Sequence, residues 1–216
     1  MTYPRKSAAV AAGLLLASAV TAGCSGAASG SGSRSGSSTA SSTPRSSTGS
    51  APNAAPTESN PPGDIPDNQA YVAFRPSSGF AGFTVKVPEG WARTTKGSTT
   101  VFTDKLNRVQ ISPAAVSAAP TVGSVTNTVV PQLRTQVPKF ASPKVTVVQR
   151  KAGTAVLLTY RGDSAPDPVT GKVVRDAFER YAFYRQGHEV NLTLSGPVNA
   201  DNVDPWRIVS DSFGWR

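Results

Sequence analysis

Between Ser25 and Ala70 the chain carries one large aliphatic residue, Ile65, and no aromatic residue. Ser, Gly, Ala, Thr, Pro and Asn make up almost all the rest. Such a segment cannot bury enough apolar area to offset the entropy lost on ordering it. It reads as a disordered tether over 25–70, with a typical span of roughly 35–40 Å. From Tyr71 aromatic and branched aliphatic residues return, with turn residues between them. The 146 residues of 71–216 are enough for one domain.

The first 23 residues have the three parts of an export signal. Arg5 and Lys6 supply positive charge, Ala8 to Val20 is an uncharged apolar run, and small residues follow at Thr21, Ala22 and Gly23. The run is too short to cross a ~30 Å hydrocarbon core, which needs about 20 residues. Thr21-Ala22-Gly23-Cys24 resembles the lipobox of bacterial lipoproteins, with Thr21 where Leu is usual. The resemblance implies that Cys24 takes a diacylglycerol and becomes the first residue of the mature protein. Two acyl chains anchor stably to a membrane. The expected location is therefore the outer face of the cytoplasmic membrane, reached through lipidated Cys24.

Cys24 is the one cysteine in the sequence, which excludes an internal disulfide. The exported domain must hold together by its core. Formal charge is +9, and residues 71–216 hold 18 Lys and Arg against 10 Asp and Glu. A basic domain at an envelope surface is attracted to anionic head groups or wall polymers. Nucleic acid is not an expected partner, because the chain is exported and carries no nucleic-acid motif.

Period-two alternation marks strands at 83–87, 100–103, 108–112, 145–147, 156–160 and 189–194. Short spacers imply antiparallel hairpins. Val122, Val125, Val129, Leu133 and Val137 fall on one helical face, so a helix is expected near 121–137, kinked at Pro131. Asp204-Pro205 suits an N-cap and first turn, with Trp206, Val209 and Phe213 on one face beyond it. The order is strands, helix, four strands, helix: an α+β domain with an antiparallel sheet.

Two stretches carry a family resemblance. Gly82-Phe83-Thr84-Val85-Lys86-Val87-Pro88-Glu89-Gly90-Trp91 opens the domain, and Asp204-Pro205-Trp206-Arg207-Ile208-Val209-Ser210-Asp211-Ser212-Phe213 closes it. Together they resemble the PsbP-like superfamily, in its actinobacterial lipoprotein branch of the LpqN/LpqT type. The resemblance implies an antiparallel sheet flanked by helices. It also implies binding or assembly without catalysis, at the cell envelope. It carries over no functional residues. Phe83, Trp91, Trp206 and Phe213 are expected in the core, and Gly90 in a turn.

Catalytic and metal motifs are weak. His188 is the one histidine, next to Gly187 at a hairpin, and no Gly-x-Ser-x-Gly elbow occurs. Zinc needs three or four Cys, His or acidic ligands, which one His and a lipidated Cys do not supply. Asp163, Asp167 and Asp176 lie in or near one long loop without the spacing of a calcium loop. No cofactor, metal or enzymatic activity is expected.

The segment 174–185 is apolar on both faces. Ala177, Tyr181 and Phe183 point one way, and Phe178, Ala182 and Tyr184 the other, with Arg175, Arg180 and Arg185 among them. Such a strand is either covered on both sides or exposes an aromatic-basic strip. If one face is open, Phe178, Arg180 and Tyr184 form the candidate surface for an envelope lipid, a glycolipid or a membrane-protein partner. Apolar burial would supply most of the affinity, which ranks Tyr184 above Arg180. Two other roles compete with this reading: an accessory subunit of a membrane complex, marked by a flat apolar patch, and a hydrolase, marked by carboxylates of raised pKa in a cleft.

Overall fold

The computed structural model describes residues 62–166 and 171–216. Cys24, the export signal, most of the tether and Asp167 lie outside the described residues. The elements run β1 (Tyr71–Phe74), β2 (Phe83–Pro88), β3 (Ala92–Lys96), β4 (Thr99–Asp104) and β5 (Asn107–Ala115). A helical segment follows: α1 (Val122–Ser124), a π-turn (Val125–Val129) and α2 (Val130–Gln136). Then come β6 (Ala141–Arg150), β7 (Gly153–Asp163), β8 (Arg175–Arg185), β9 (His188–Pro197), α3 (Val203–Asp211) and β10 (Gly214–Trp215). Seven strands form an antiparallel sheet in the order β3-β4-β5-β9-β8-β7-β6, and β1-β2-β10 form a small second sheet. The fold is α+β, with layers on both sides of the large sheet.

The main core lies on one face of that sheet. Val109, Ile111, Leu192, Leu194, Tyr181 and Phe183 meet Phe83 and Val85 of β2, Trp206 and Val209 of α3, and Phe213. Phe83, Trp91, Trp206 and Phe213 are all buried, and Gly90 turns with φ of 83°. A second core occupies the opposite face, but only over part of it. There Val125 and Val130 of the helical segment pack on Val156, Leu158, Tyr160 and Ala182, with Leu133, Val137 and Phe178 at the edges. Gly162 permits this close approach, because a Cβ there would collide with Val137.

Pro131 explains the helix irregularity. Proline has no N–H and its ring clashes with the carbonyl four residues back. The π-turn ends just before Pro131, with the Val130 N–H bonded to the Val125 carbonyl, so the helix resumes across the proline. At the second helix the expected N-cap shifts. The N-cap residue is Asn202, two residues before Asp204, and its side chain makes no cap bond.

That side chain is engaged elsewhere. Asn202 Oδ1 accepts from the Ile65 N–H at 2.9 Å, and Asn202 Nδ2 donates to the Gly63 carbonyl and to Asn107 Oδ1. Asn107 Nδ2 also donates to Gly63 O, at 2.7 Å. Ile65 is 4% exposed and belongs to the main core. Residues 63–65, assigned from composition to the tether, therefore pack onto the domain. One large aliphatic residue and a buried amide network suffice to hold them. Gly196 leaves room for the two asparagines, since a Cβ there would strike both.

Candidate functional site

β8 lies third from the β6 edge of the large sheet and divides its second face into two kinds of surface. On the β7 side, Val156, Leu158 and Tyr160 are buried under the helical segment. On the β9 and β5 side the cross-strand partners turn polar. Phe178 pairs with Ser195 and then Arg108, Arg180 with Thr193 and then Gln110, Ala182 with Asn191 and then Ser112, and Tyr184 with Glu189. Gln110, Ser112, Thr193 and Glu189 are half-buried, and Arg108 is exposed. The strand is thus covered on both faces at Tyr181–Phe183 and borders a mostly half-buried polar surface elsewhere along its second face.

The three candidate residues share this second face, but their environments differ. Phe178 stacks on Tyr160 with centroids 4.5 Å apart and belongs to the edge of the second core. Tyr184 is half-buried, and its hydroxyl accepts the Gly187 N–H at 3.2 Å within the β8–β9 turn. Arg180 is half-buried and makes no hydrogen bond or ion pair with any described residue. Burial pushes its guanidinium pKa down, while the charges of Glu189 and Tyr160 oppose that shift.

The surroundings of Arg180 are also incompletely satisfied. Asn191 donates to Glu189 Oε1 at 2.6 Å, but its own buried Oδ1 has no partner. Tyr160 is pushed up to about 12, by burial first, against the pull of Arg180 and Arg108. Arg108 bonds Gln110 Oε1 at 2.8 Å, Gln110 bonds Ser112 at 3.3 Å, and Ser112 meets Thr99 at 3.0 Å. This array lies beside the Arg180 guanidinium, which makes no hydrogen bond or ion pair with a described residue. It can bind a ligand carrying both an anionic group and hydrogen-bond donors.

Among solved structures, the chain aligns in part with cyanobacterial PsbP. The PsbP of Synechocystis is 15% identical, with a TM-score of 0.48, over 68% of this chain and 94% of that one. LpqN of Mycobacterium tuberculosis, described as involved in cell envelope biogenesis, is 14% identical with a TM-score of 0.37, over 68% and 85%. The Ran-binding protein Mog1p of Saccharomyces cerevisiae is 8% identical with a TM-score of 0.40, over 61% and 79%. No protein-family model matches the chain, and no curated protein matches it.

The remaining reactive side chains are placed as follows. His188 opens β9, pairs across from Arg185, and stacks on Phe80 with centroids 3.8 Å apart. Asp163 is held by Lys139 at 2.9 Å and Arg175 at 3.3 Å, and the Lys139 bond leads the causes that lower its pKa. Asp176 is pushed up to about 6, by burial first and by the Asp163 charge second. At 4% exposure its carboxyl offers little to a substrate. Among the described residues, no group of three or more His, Cys, Asp or Glu is placed to hold a metal ion.

Reading 174–185 alone finds Arg180 but misses Asn191, Glu189, Gln110 and Arg108. Their signal is in the sequence as the polar half of two alternating strands, at 189–194 and 108–112. Only the strand order β5-β9-β8 brings those halves beside Arg180.

Proposed function

We propose that this chain is an extracytoplasmic lipoprotein, anchored through Cys24, whose domain binds an envelope lipid, glycolipid or protein partner without catalysing a reaction. The observation that carries the reading is Arg180, a half-buried guanidinium with no hydrogen-bond or ion-pair partner among the described residues, at the border of an apolar and a polar surface. Partial burial disfavours the charged guanidinium, and the nearby Glu189 charge offsets part of that cost. A ligand's phosphate or carboxylate would remove that cost. Its apolar part would lie towards Tyr184.

The proposed site ranks the residues in the opposite order from apolar burial, which places Tyr184 above Arg180. Arg180 has free donors, whereas the Tyr184 hydroxyl is already engaged in its turn. The testing experiment is native mass spectrometry of the domain recovered from its own envelope, with Arg180→Ala and Tyr184→Ala in parallel. The reading expects a bound anionic amphiphile or acidic partner. That species should be lost from Arg180→Ala and reduced in Tyr184→Ala. Equal retention by wild type and Arg180→Ala would refute the site.

A further inference from the structure

A second surface lies on the other side of the large sheet, outside the Arg180 face. An open groove of about 970 Å³ runs along α3, between the β6–β7 turn, β2 and β10. Its cations are Lys86, Lys151 and Arg207. Lys86 and Lys151 make no side-chain hydrogen bond or ion pair with described residues. Of its acids, Asp211 is already shared between Arg150 at 3.5 Å and Arg207 at 3.8 Å, leaving Asp204 as the uncompensated one. The outward side of α3 also carries large apolar residues. Ile208 is 45% exposed and lines the groove, and Val203, one turn before Arg207, is 71% exposed. The half-buried Trp215 ring closes the lining.

We infer that this face of α3 docks on the anionic membrane surface to which the chain is tethered. Exposed aliphatic side chains on a helix, with Lys86, Lys151, Arg207 and a tryptophan beside them, suit the head-group boundary of a bilayer. Such a surface supplies negative charge for Lys86, Lys151 and Arg207. It also covers the exposed parts of Val203 and Ile208. The path of the chain agrees. The N-terminal segment enters the domain at Gly63–Ile65, bonded to Asn202 and to the Asp201 N–H at the start of α3. The helix extends only about 14 Å from there. Thirty-eight residues separate Cys24 from Gly63, and at up to ~3.3–3.6 Å per residue that length is enough to let α3 meet the bilayer that holds Cys24. The inference rests on the membrane-anchored reading for its biological setting, but its chemistry is independent of the lipid on Cys24.

The test uses residues 62–216, because both cores are complete from Ile65 onward. This fragment has no lipid and no signal segment. It is sedimented at low salt with vesicles rich in phosphatidylglycerol and with vesicles of phosphatidylcholine alone. Binding is expected to the first and not to the second, with a shift of tryptophan emission that Trp215→Phe removes. Each Lys or Arg near an anionic surface contributes about 1 kcal/mol, or about fivefold in affinity. Lys151→Glu with Arg207→Glu should therefore weaken binding by about 25-fold or more. Lys86→Glu, which breaks no ion pair, should weaken it in the same direction. Lys96→Glu with Arg134→Glu, an equal change in net charge away from the groove, should leave binding nearly unchanged. Equal loss in the two double variants would reduce the effect to net charge and overturn the inference, as would absence of binding by the wild-type domain. Arg180→Ala should bind vesicles like wild type, so failure here and failure of the Arg180 site are separate results.

Discussion

Tyr160 and Phe178 stack across β7 and β8 with ring centroids 4.5 Å apart and planes 4° from parallel. Phe140 extends the stack, 5.0 Å from Tyr160, and the Arg134 guanidinium lies 5.3 Å from the Phe140 ring centre. One face of Phe178 is thus committed to the protein. The pair fixes where the second core ends and the polar surface begins, and it separates Phe178 from Arg180 in role. Phe178→Ala should cost about 2–4 kcal/mol, below the full range for a buried phenylalanine because the ring is half-exposed. Arg180→Ala should change stability by less than about 1 kcal/mol, since no partner is orphaned. Urea unfolding of both variants checks this. A larger loss for Arg180→Ala than for Phe178→Ala would mean the guanidinium is part of the fold.

The anchor makes its own prediction. Cys24→Ser should release the protein from the membrane or leave an uncleaved precursor. Fractionation and intact-mass measurement decide between these, and unchanged membrane retention with unchanged mass would end the lipoprotein reading.

The amide network at Gly63 and Ile65 predicts where the folded region starts. Limited proteolysis should leave a fragment beginning near Pro62, not near Tyr71. Asn202→Ala removes the partners of the Ile65 N–H and part of those of Gly63 O and Asn107. Leaving buried polar groups unpaired costs about 1–3 kcal/mol each. The variant should be less stable by about 3 kcal/mol and trimmed further, towards Tyr71. A fragment starting near Tyr71 in the wild type would show that this network does not hold.

Trp206 is 6% exposed and meets Trp91 edge-on, with centroids 6.4 Å apart. It docks α3 on the main core, so Trp206→Ala should destabilise the domain by about 3–5 kcal/mol. A melting temperature within about a degree of wild type would contradict that docking, since 1 kcal/mol shifts a domain of this size by several degrees.

The sequence is most legible where one side of a strand is buried. β2, β4, β5 and β9 alternate cleanly because one face meets the main core, so their positions follow from period alone. β3 (Ala92–Lys96) is exposed at every residue and β10 has only two residues, so neither shows a pattern. β1 is short and lies at an edge of its sheet. The cap of α3 is misplaced from sequence because Asn202 serves a tertiary network instead of its own helix. The packing of Ile65 is likewise invisible in composition, since its partners are 137 and 44 residues away from Ile65 and Gly63 respectively. The Arg180 surface is half legible: β8 announces its own aromatics and cations, but register across β9 and β5 supplies the polar half.

Asp176 predicts an unusual pH dependence. Its carboxyl is 4% exposed, one oxygen has no partner, and burial with the Asp163 charge pushes its pKa up to about 6. In the unfolded chain an aspartate titrates near ~3.9. Between roughly pH 4 and pH 6 the folded protein therefore keeps a proton that the unfolded chain releases, and stability falls as pH rises through that window. The loss is at most about 3 kcal/mol, at ~1.4 kcal/mol per pKa unit. Asp163 acts in the opposite sense. Its lowered pKa gives stability that is present above the unfolded value and lost as pH falls through the folded one. Asp176→Asn should abolish the decline from pH 4 to pH 6 and leave the acid loss due to Asp163 in place. At pH 7 the variant should be more stable than wild type. Unfolding free energies of both proteins, taken by urea titration across this range, provide the check. Parallel pH profiles for the two proteins would show that Asp176 is solvated in the folded state and ionises there as a normal aspartate.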